Sequence, residues 1–364
     1  MESMVDRSFW KGRKVFITGH TGFKGSWLCL WLHSLEADIT GYSQPPPTYP
    51  SLYDLCRIDE LLTSITGDIR DGEALKKSLI TAQPEIVFHL AAQPIVRESY
   101  KNPVQTFETN IMGTVHLLEA VRACPTVRAA VNVTSDKCYE NRECTAGYNE
   151  NDRLGGYDPY SGSKACSEII TSSYRNSFFS INSYDIHGVG LATARAGNVI
   201  GGGDWAGDRL IPDCIRSLLA NSEILLRNPG AVRPWQHVLE PLSGYMRLAQ
   251  KLCENGPLYS QAWNFGPGGN ESRTVEWIVK KLCEKWGNSS TCKVVDEKCP
   301  HETHYLKLDC SKAKKALGWH PKWDEEKALD KTVEWYKAFK ELSNLRSVCC
   351  RQIEDYSSEP VQPE

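Results

Sequence analysis

No stretch of this 364-residue chain approaches the ~18 to 20 consecutive apolar residues that a membrane span needs, which excludes a helical membrane protein. Lysines and arginines are scattered, and the formal net charge is −3, so the basic surface that nucleic acid demands is missing. The start, "MESMVDRSFWKGRKVFITG", lacks the apolar core of a secretion signal. No CxxC pair occurs among the fourteen cysteines. Most of them, such as Cys29, Cys166 and Cys283, fall in amphipathic segments, where cysteine serves as a small apolar residue. The expectation is a reduced, cytoplasmic protein, with the adjacent Cys349 and Cys350 incidental to a polar tail. Internal repeats are lacking too, and the one biased patch is the turn-rich "SQPPPTYPS" at 43–51.

What is present is an ordinary globular balance, 41% hydrophobic and 24% charged, in a chain long enough for a large core and a smaller lobe. The first half alternates. "KVFITG" (14–19), "DITGYS" (38–43), "EIVFHLAA" (85–92) and "RAAVNVTS" (128–135) read as strands. Between them, "GFKGSWLCLWLHSL", "DGEALKKSLITA" and the long "VQTFETNIMGTVHLLEAVRAC" read as helices, followed by a helix over 158–179 and a strand over "GVGLATARAGNV". That order predicts an α/β fold, a doubly wound parallel sheet with helices on both faces. Beyond residue 200 the pattern loosens into loops and helices such as "TVEWIVKKLCEKWG" and "EEKALDKTVEWYKAFKEL", expected to form a smaller lobe. The division expected is 10–200 for the sheet domain with some later segments returning to it, 201–345 mainly for the lobe, and 346–364 for a surface tail.

"TGHTGFKG" places Gly19, Gly22 and Gly25 between the first strand and helix, where glycines let backbone N–H groups approach a pyrophosphate. Thr21 and Phe23 belong to the same turn. Ser43 and Gln44 stand where an acidic residue usually meets the adenosine ribose, and with no arginine there to await a 2′-phosphate, NAD is the expected cofactor. Asp68 and Ile69 in "TGDIRD", and Leu90, Ala91 and Ala92 in "HLAAQ", are placed to border the adenine and the pyrophosphate.

Tyr160 and Lys164 stand at i and i+4 on one predicted helix, hence on one face, about 25 residues after Ser135. A tyrosine acting as base near neutrality must come down from a pKa of about 10 by roughly 3 units, or ~4 kcal/mol. A lysine ammonium ~6 Å away at an effective dielectric near 20 supplies ~3 kcal/mol. The positive ring of an oxidised nicotinamide would contribute the remainder. At the tip of the preceding strand, "TSDKCY" crowds Thr134, Ser135, Asp136 and Lys137 together.

These motifs, with Asn110 in "ETNIMGT" and the segment "ARAGNVIGGGDW", resemble the extended short-chain dehydrogenase/reductase family over roughly residues 10 to 345. The resemblance implies a Rossmann domain, a C-terminal substrate lobe, a nucleotide-sugar substrate and a homodimer or homotetramer paired through the helix carrying Tyr160. It also implies roles: Asn110 and Thr134 beside the cofactor, Ser135, Tyr160 and Lys164 at the oxidised carbon. Within the family an acid–base pair after the serine, Asp or Ser and then Glu, marks 4,6-dehydratases. Asp136–Lys137 occupies that place with lysine in the glutamate's position, a variant that resembles enzymes acting on CDP-glucose, a precursor in deoxysugar and lipopolysaccharide O-antigen synthesis. Asp136 is then the acid at the sugar 6-position. Lys137 is either the base at the 5-position or a cation steadying the enolate.

Arg233 is placed to hold the diphosphate, with Asn198 and Asn264 as amide donors, and Gln93, Arg97 and Arg209 as further substrate contacts. Trp205 and Trp235 fit core packing better than base stacking. His301 and His304 are spaced like half a metal site, but the missing partners favour a ligand or surface role over zinc, so no metal is expected. Two rivals stand beside the dehydratase: a nucleotide-sugar epimerase without the elimination, and an idle NAD-binding protein.

Overall fold

The apolar run Lys14–Thr18 becomes strand β1, buried at every position after the first. The computed structural model describes residues 5–143, 146–268, 273–287, 292–295 and 305–360. After β1 come α1 (Phe23–Ser34), β2 (Asp38–Ser43), β3 (Thr63–Thr66), α2 (Gly72–Ala82) and β4 (Ile86–His89). Next are α3 (Gly113–Arg122), β5 (Ala129–Val133), α4 (Pro159–Ser177) and β6 (Gly190–Ala196). The later chain contributes α5 (Leu210–Leu219), α6 (Leu239–Tyr259), β7 (Ala262–Phe265), α7 (Val275–Trp286), α8 (Glu325–Lys340) and α9 (Leu345–Ser358).

All seven strands pair in parallel, in the order β7-β6-β5-β4-β1-β2-β3. β5 and β6 are buried throughout, as parallel strands covered on both faces must be. The strand order reverses between β1 and β4, which opens a crevice at their C-terminal ends. There Thr18 pairs with His89, and their side chains are hydrogen-bonded at 2.7 Å. The α/β sheet is as expected, and β7 and α6 return to it from beyond residue 200.

Three expectations need correction. The long helix over 104–124 is broken by a π-turn at Glu108–Met112, between an α-helical turn at Pro103–Phe107 and α3. Inside it Asn110 is buried and its side chain bonds to the loop after β4, so a side chain that must reach sideways replaces one regular turn. The strand expected over 188–199 ends at Ala196, and Val199–Ile200 pairs instead with Gln236–His237. The bend falls at Gly197, where a Cβ would sit 2.3 Å from Pro234 and 3.0 Å from Asp136 Oδ2.

The third correction is the tail. Residues 345–358 form α9, with Leu345, Val348, Cys349, Gln352, Ile353 and Tyr356 buried on one stripe. The Tyr356 ring meets Trp31 edge-on at 5.6 Å, and its hydroxyl donates to Glu240 at 2.7 Å. The many polar residues of "SNLRSVCCRQIEDYSS" hide this helical period. α1 is consequently covered by both the sheet and α9, and everything from Gly25 to Leu32 on it is buried.

Candidate active site

Two cavities meet at the C-terminal ends of the strands. The smaller, about 300 Å³, is lined by Gly19, Thr21, Gly22, Phe23, Gly25, Ser43, Asp68, Ile69, Leu90, Ala91, Ala92, Thr134, Tyr160 and Lys164. Every cofactor residue expected from the sequence is among them except Asn110. Gly19 has φ +80°, and a Cβ on it would lie 2.6 Å from the Ala91 nitrogen. A Cβ on Gly25 would lie 2.1 Å from the Gly19 carbonyl oxygen. The turn therefore closes only with hydrogen at both positions, which leaves the N-terminus of α1 open to a pyrophosphate. The cleft fits a dinucleotide on that ground.

At its far end Ser43 and Thr21 share a hydrogen bond of 2.8 Å, and Thr21 also donates to the Gln44 carbonyl at 2.9 Å. Arg70 stands on this wall as well, a cation the sequence reading did not place there. Its guanidinium is committed to Asp68 at 2.6 Å, and Asp68 also accepts from Gln44 at 2.8 Å. Their mutual contact holds the Asp68 carboxyl below its usual range.

Asn110 and Gln93 differ from expectation in the same way. The Gln93 amide donates to the Asn110 side-chain oxygen at 2.8 Å, and the Asn110 side chain donates to the Gln93 carbonyl at 3.0 Å and to Ser163 at 2.8 Å. The Gln93 side chain turns back to Ile95 and Thr106. Neither lines a cavity; together they fix the loop after β4 against α4.

The larger cavity, about 1110 Å³, has Ser135, Asp136, Lys137 and Tyr160 on its wall, with Arg97, Asn198, Arg209 and Arg233. Ser135 to Lys137 leave β5 in a tight turn that Ser135 caps by accepting the Lys137 amide at 3.2 Å. The Ser135 hydroxyl donates to Asp136 Oδ1 at 3.0 Å, while Oδ2 is buried without a hydrogen-bond partner. Burial raises the Asp136 pKa against the pull of Lys137, Ser135, Arg233 and Lys24.

α4 presents Tyr160 and Lys164 on one buried face, its start fixed by Asp158 accepting the Ser161 amide at 2.9 Å. One turn further, Glu168 accepts from Thr134 and Thr193 and pairs with Arg195 at 2.7 Å, tying α4 to the tips of β5 and β6. Lys164 Nζ donates to the Val133 carbonyl at 3.3 Å, and burial pushes it down to about 8. Tyr160 is pushed up to about 12 by burial, opposed by Ser135 and Arg209. This corrects the expectation that Lys164 alone brings the phenol most of the way to neutrality: desolvation outweighs the cations within the chain.

Among the other expected substrate residues, Arg233 is buried and donates to the Val232 carbonyl at 2.9 Å. Arg97 pairs with Asp208 at 3.5 Å and Arg209 with Asp204 at 3.0 Å, so each is both cavity lining and ion pair. Asn264, expected to donate to the substrate, lines neither cavity. It is wholly buried, accepts from Tyr139 at 2.7 Å and donates to the Tyr148 and Asp309 carbonyls, a hub beneath the cavity. Trp235 lines the larger cavity, and Trp205 packs among Trp335, Tyr336 and Phe339. His301 and His304 lie outside the described residues. Among the described residues there is no cluster able to hold a metal ion, and no helix is long and apolar enough to cross a membrane.

Lys24 and Asp204 line both cavities and were missed. The signal for Lys24 was the cation in "GFKG" at the start of a helix, where the backbone dipole disfavours positive charge.

The family model described as GDP-mannose 4,6 dehydratase matches residues 16–332. The chain is 54% identical to a CDP-glucose 4,6-dehydratase of Salmonella typhimurium, over 98% of this chain and 99% of that one. Its fold is that of a dTDP-glucose 4,6-dehydratase from Bacillus anthracis solved with NAD, with a TM-score of 0.75 and 24% identity over 92% of this chain and all of that one. An epimerase from Methanothermobacter thermautotrophicus is equally similar in fold, with a TM-score of 0.78 and 22% identity over 94% and 97% of the two chains.

Proposed function

Because the chain belongs to the GDP-mannose 4,6-dehydratase family, within the extended short-chain dehydrogenase/reductases, we propose that it acts as a CDP-glucose 4,6-dehydratase. It converts CDP-D-glucose to CDP-4-dehydro-6-deoxy-D-glucose and water, reusing NAD within each turnover. The observation that carries the dehydratase reading over the epimerase is Asp136: a buried carboxyl, its pKa raised by that burial, on one wall with Ser135 and Tyr160. An epimerase has no use for an acid there. The choice of CDP rests on the Salmonella relative.

Bound NAD supplies an acceptor for hydride from the sugar C4 and a donor for its return to C6. The side chains handle the protons. Tyr160 Oη takes the proton of the 4-hydroxyl, steadied by Ser135 and by the Lys164 ammonium beside the cofactor. The 4-keto group then acidifies the C5 hydrogen. Lys137, on the turn that carries Asp136, removes that proton or holds the enolate charge, and Asp136 protonates the 6-hydroxyl so that it leaves as water. Arg233, with Asn198, Arg97 and Arg209, faces the diphosphate.

A homodimer or homotetramer in the cytoplasm is part of the same proposal. Val104, Phe107 and Met112 are exposed apolar residues beside α3, and Ile169 and Phe178 are exposed on or just after α4. Incubation of the purified protein with NAD and CDP-, dTDP-, GDP- and UDP-glucose tests the activity. A 4-keto-6-deoxy product with alkaline ultraviolet absorbance, formed fastest from CDP-glucose, supports it. A ketone-free epimer, or unchanged sugar, refutes it.

A further inference from the structure

Lys24 is the one cation that borders both cavities and that the chemistry above leaves without a task. It is the second residue of α1, and three forces act against a positive charge there. The helix N-terminus is itself positive. Burial, the largest effect, and the charges of Arg209 and Lys164 push its ammonium down to about 7. A lysine carried at such a position for packing alone would be served better by an apolar side chain. It nevertheless borders both cavities, so it stands at the seam where the cofactor and the sugar meet.

Two carboxylates pull on it, Asp136 and Asp204. Asp204 is already satisfied, by Arg209 at 3.0 Å and by the Ala206 amide at 3.2 Å. Asp136 is not. It is 3% exposed, its Oδ1 takes the Ser135 hydroxyl, and its Oδ2 has no partner. The cations that act on Asp136 are Lys137, Arg233 and Lys24. Lys137 lies on the same turn and is wanted at C5, and Arg233 faces the diphosphate. Of these three, only Lys24 also borders the cofactor cavity, while sharing the wall of the larger one with Asp136.

We infer that Lys24 is a positioning residue for Asp136, its ammonium holding the negative charge that appears on the carboxyl when Asp136 gives up its proton to the departing 6-hydroxyl. In that step the electron pair of the C5 carbanion forms the C5–C6 double bond. The C6–O bond breaks with its electrons on oxygen, which takes the Asp136 proton and leaves as water. One buried carboxylate is created, and a preplaced ammonium on its cofactor side, besides that of Lys137 on its own turn, lowers the energy of that state. Anionic groups bound in the two cavities that Lys24 borders would favour its charged form. The inference rests on the dehydratase reading and adds a residue to it.

The test compares wild type, Lys24→Met, Lys24→Arg and Asp136→Asn, each saturated with NAD, by rapid mixing with CDP-glucose. Both 4-keto-6-deoxy product and the near-ultraviolet absorbance of the reduced nicotinamide are followed. Lys24→Met is expected to form product about 10- to 100-fold more slowly, while reduced cofactor builds up at close to the wild-type rate, as in Asp136→Asn. Lys24→Arg, which keeps the charge, is expected to stay within about threefold of wild type without buildup. Parallel loss of sugar oxidation and product in Lys24→Met, or unchanged turnover, would each overturn the inference. Should Lys24→Met not fold, Lys24→Gln carries the same contrast. A wild type that makes no ketone would sink the proposed function instead, and is read from a separate trace.

Discussion

Asn110 and Gln93 hold each other by two reciprocal hydrogen bonds, 2.8 Å from the Gln93 amide and 3.0 Å to the Gln93 carbonyl. The pair closes the loop after β4 onto the π-turn, and the loop carries Leu90, Ala91 and Ala92 into the cofactor cavity. Replacing Asn110 by alanine strands a buried N–H and a carbonyl at roughly 1–3 kcal/mol each. Thermal stability should fall by about 2–4 kcal/mol. The dissociation constant for NAD, measured by calorimetry, should rise well before kcat at saturating cofactor changes. An unchanged NAD affinity would mean that the loop is held by other contacts.

Gly22 and Gly25 look interchangeable in the sequence but not in space. A Cβ at 25 meets the Gly19 backbone at 2.1 Å, whereas a Cβ at 22 stands 3.4 Å from the same carbonyl oxygen. Gly25→Ala should therefore lose more than about 3 kcal/mol of stability, since backbone must shift. Gly22→Ala should melt within about 1 kcal/mol of wild type and show its defect only as weaker NAD binding. Equal melting of the two proteins would contradict this geometry.

What the sequence disclosed and what it hid follow one division. β1, β2, β4, β5, β6, α1, α2 and α4 were legible because burial on both sheet faces writes continuous apolar runs, and helices write a period. The short, largely exposed edge strand β3, "TSIT", wrote neither and was missed. The glycine turn and the Ser135–Lys137 tip were legible because their positions at strand ends are local. The internal bonds of Asn264, Gln93 and Asn110 were not legible, because an amide that hydrogen-bonds a ligand and one that bonds a distant backbone are the same residue in a string. Lys24 was missed for the opposite reason: its misplaced charge was visible at the helix start, but Asp136 and Asp204, which act on it, are remote in sequence.

α9 is the clearest case of structure hidden by polar composition. Tyr356 is 1% exposed, packs on Trp31 and Trp323, and donates to Glu240. Truncating so large a buried ring should cost about 3–5 kcal/mol, as for other aromatic-to-alanine changes in a core. A Tyr356→Ala melting curve indistinguishable from wild type would return the segment to the status of a tail.

Glu240 makes stability depend on pH. It is fully buried, accepts the Lys322 and Trp323 amides and the Tyr356 hydroxyl, and burial pushes it up from 4.5 to about 7. A raised carboxyl means that the folded state binds the proton more tightly than the unfolded one. Stability is then greatest below about pH 4.5 for this group, falls as pH rises to about 7, and levels off above. Glu240→Gln, which imitates the protonated acid, should flatten the melting temperature across that window. Parallel wild-type and variant profiles would remove Glu240 as the cause.

Tyr160 carries the sharpest consequence of burial. At about 12 its phenol is a poor base within the chain itself, so the remaining shift must come with the cofactor. A positive ring within ~4–6 Å at an effective dielectric near 20 favours the phenolate by ~3–4 kcal/mol, or about 2–3 units. Phenolate absorbance, taken as wild type minus Tyr160→Phe, should therefore be nearly absent between pH ~8 and ~10 without NAD and rise through that range with oxidised NAD bound. Reduced NAD, which lacks the positive ring, should give little of the effect, and Lys164→Met should retain only part of it. Identical difference spectra with and without oxidised NAD would mean that Tyr160 does not share a wall with the nicotinamide, and the proton path from the 4-hydroxyl would have to be redrawn.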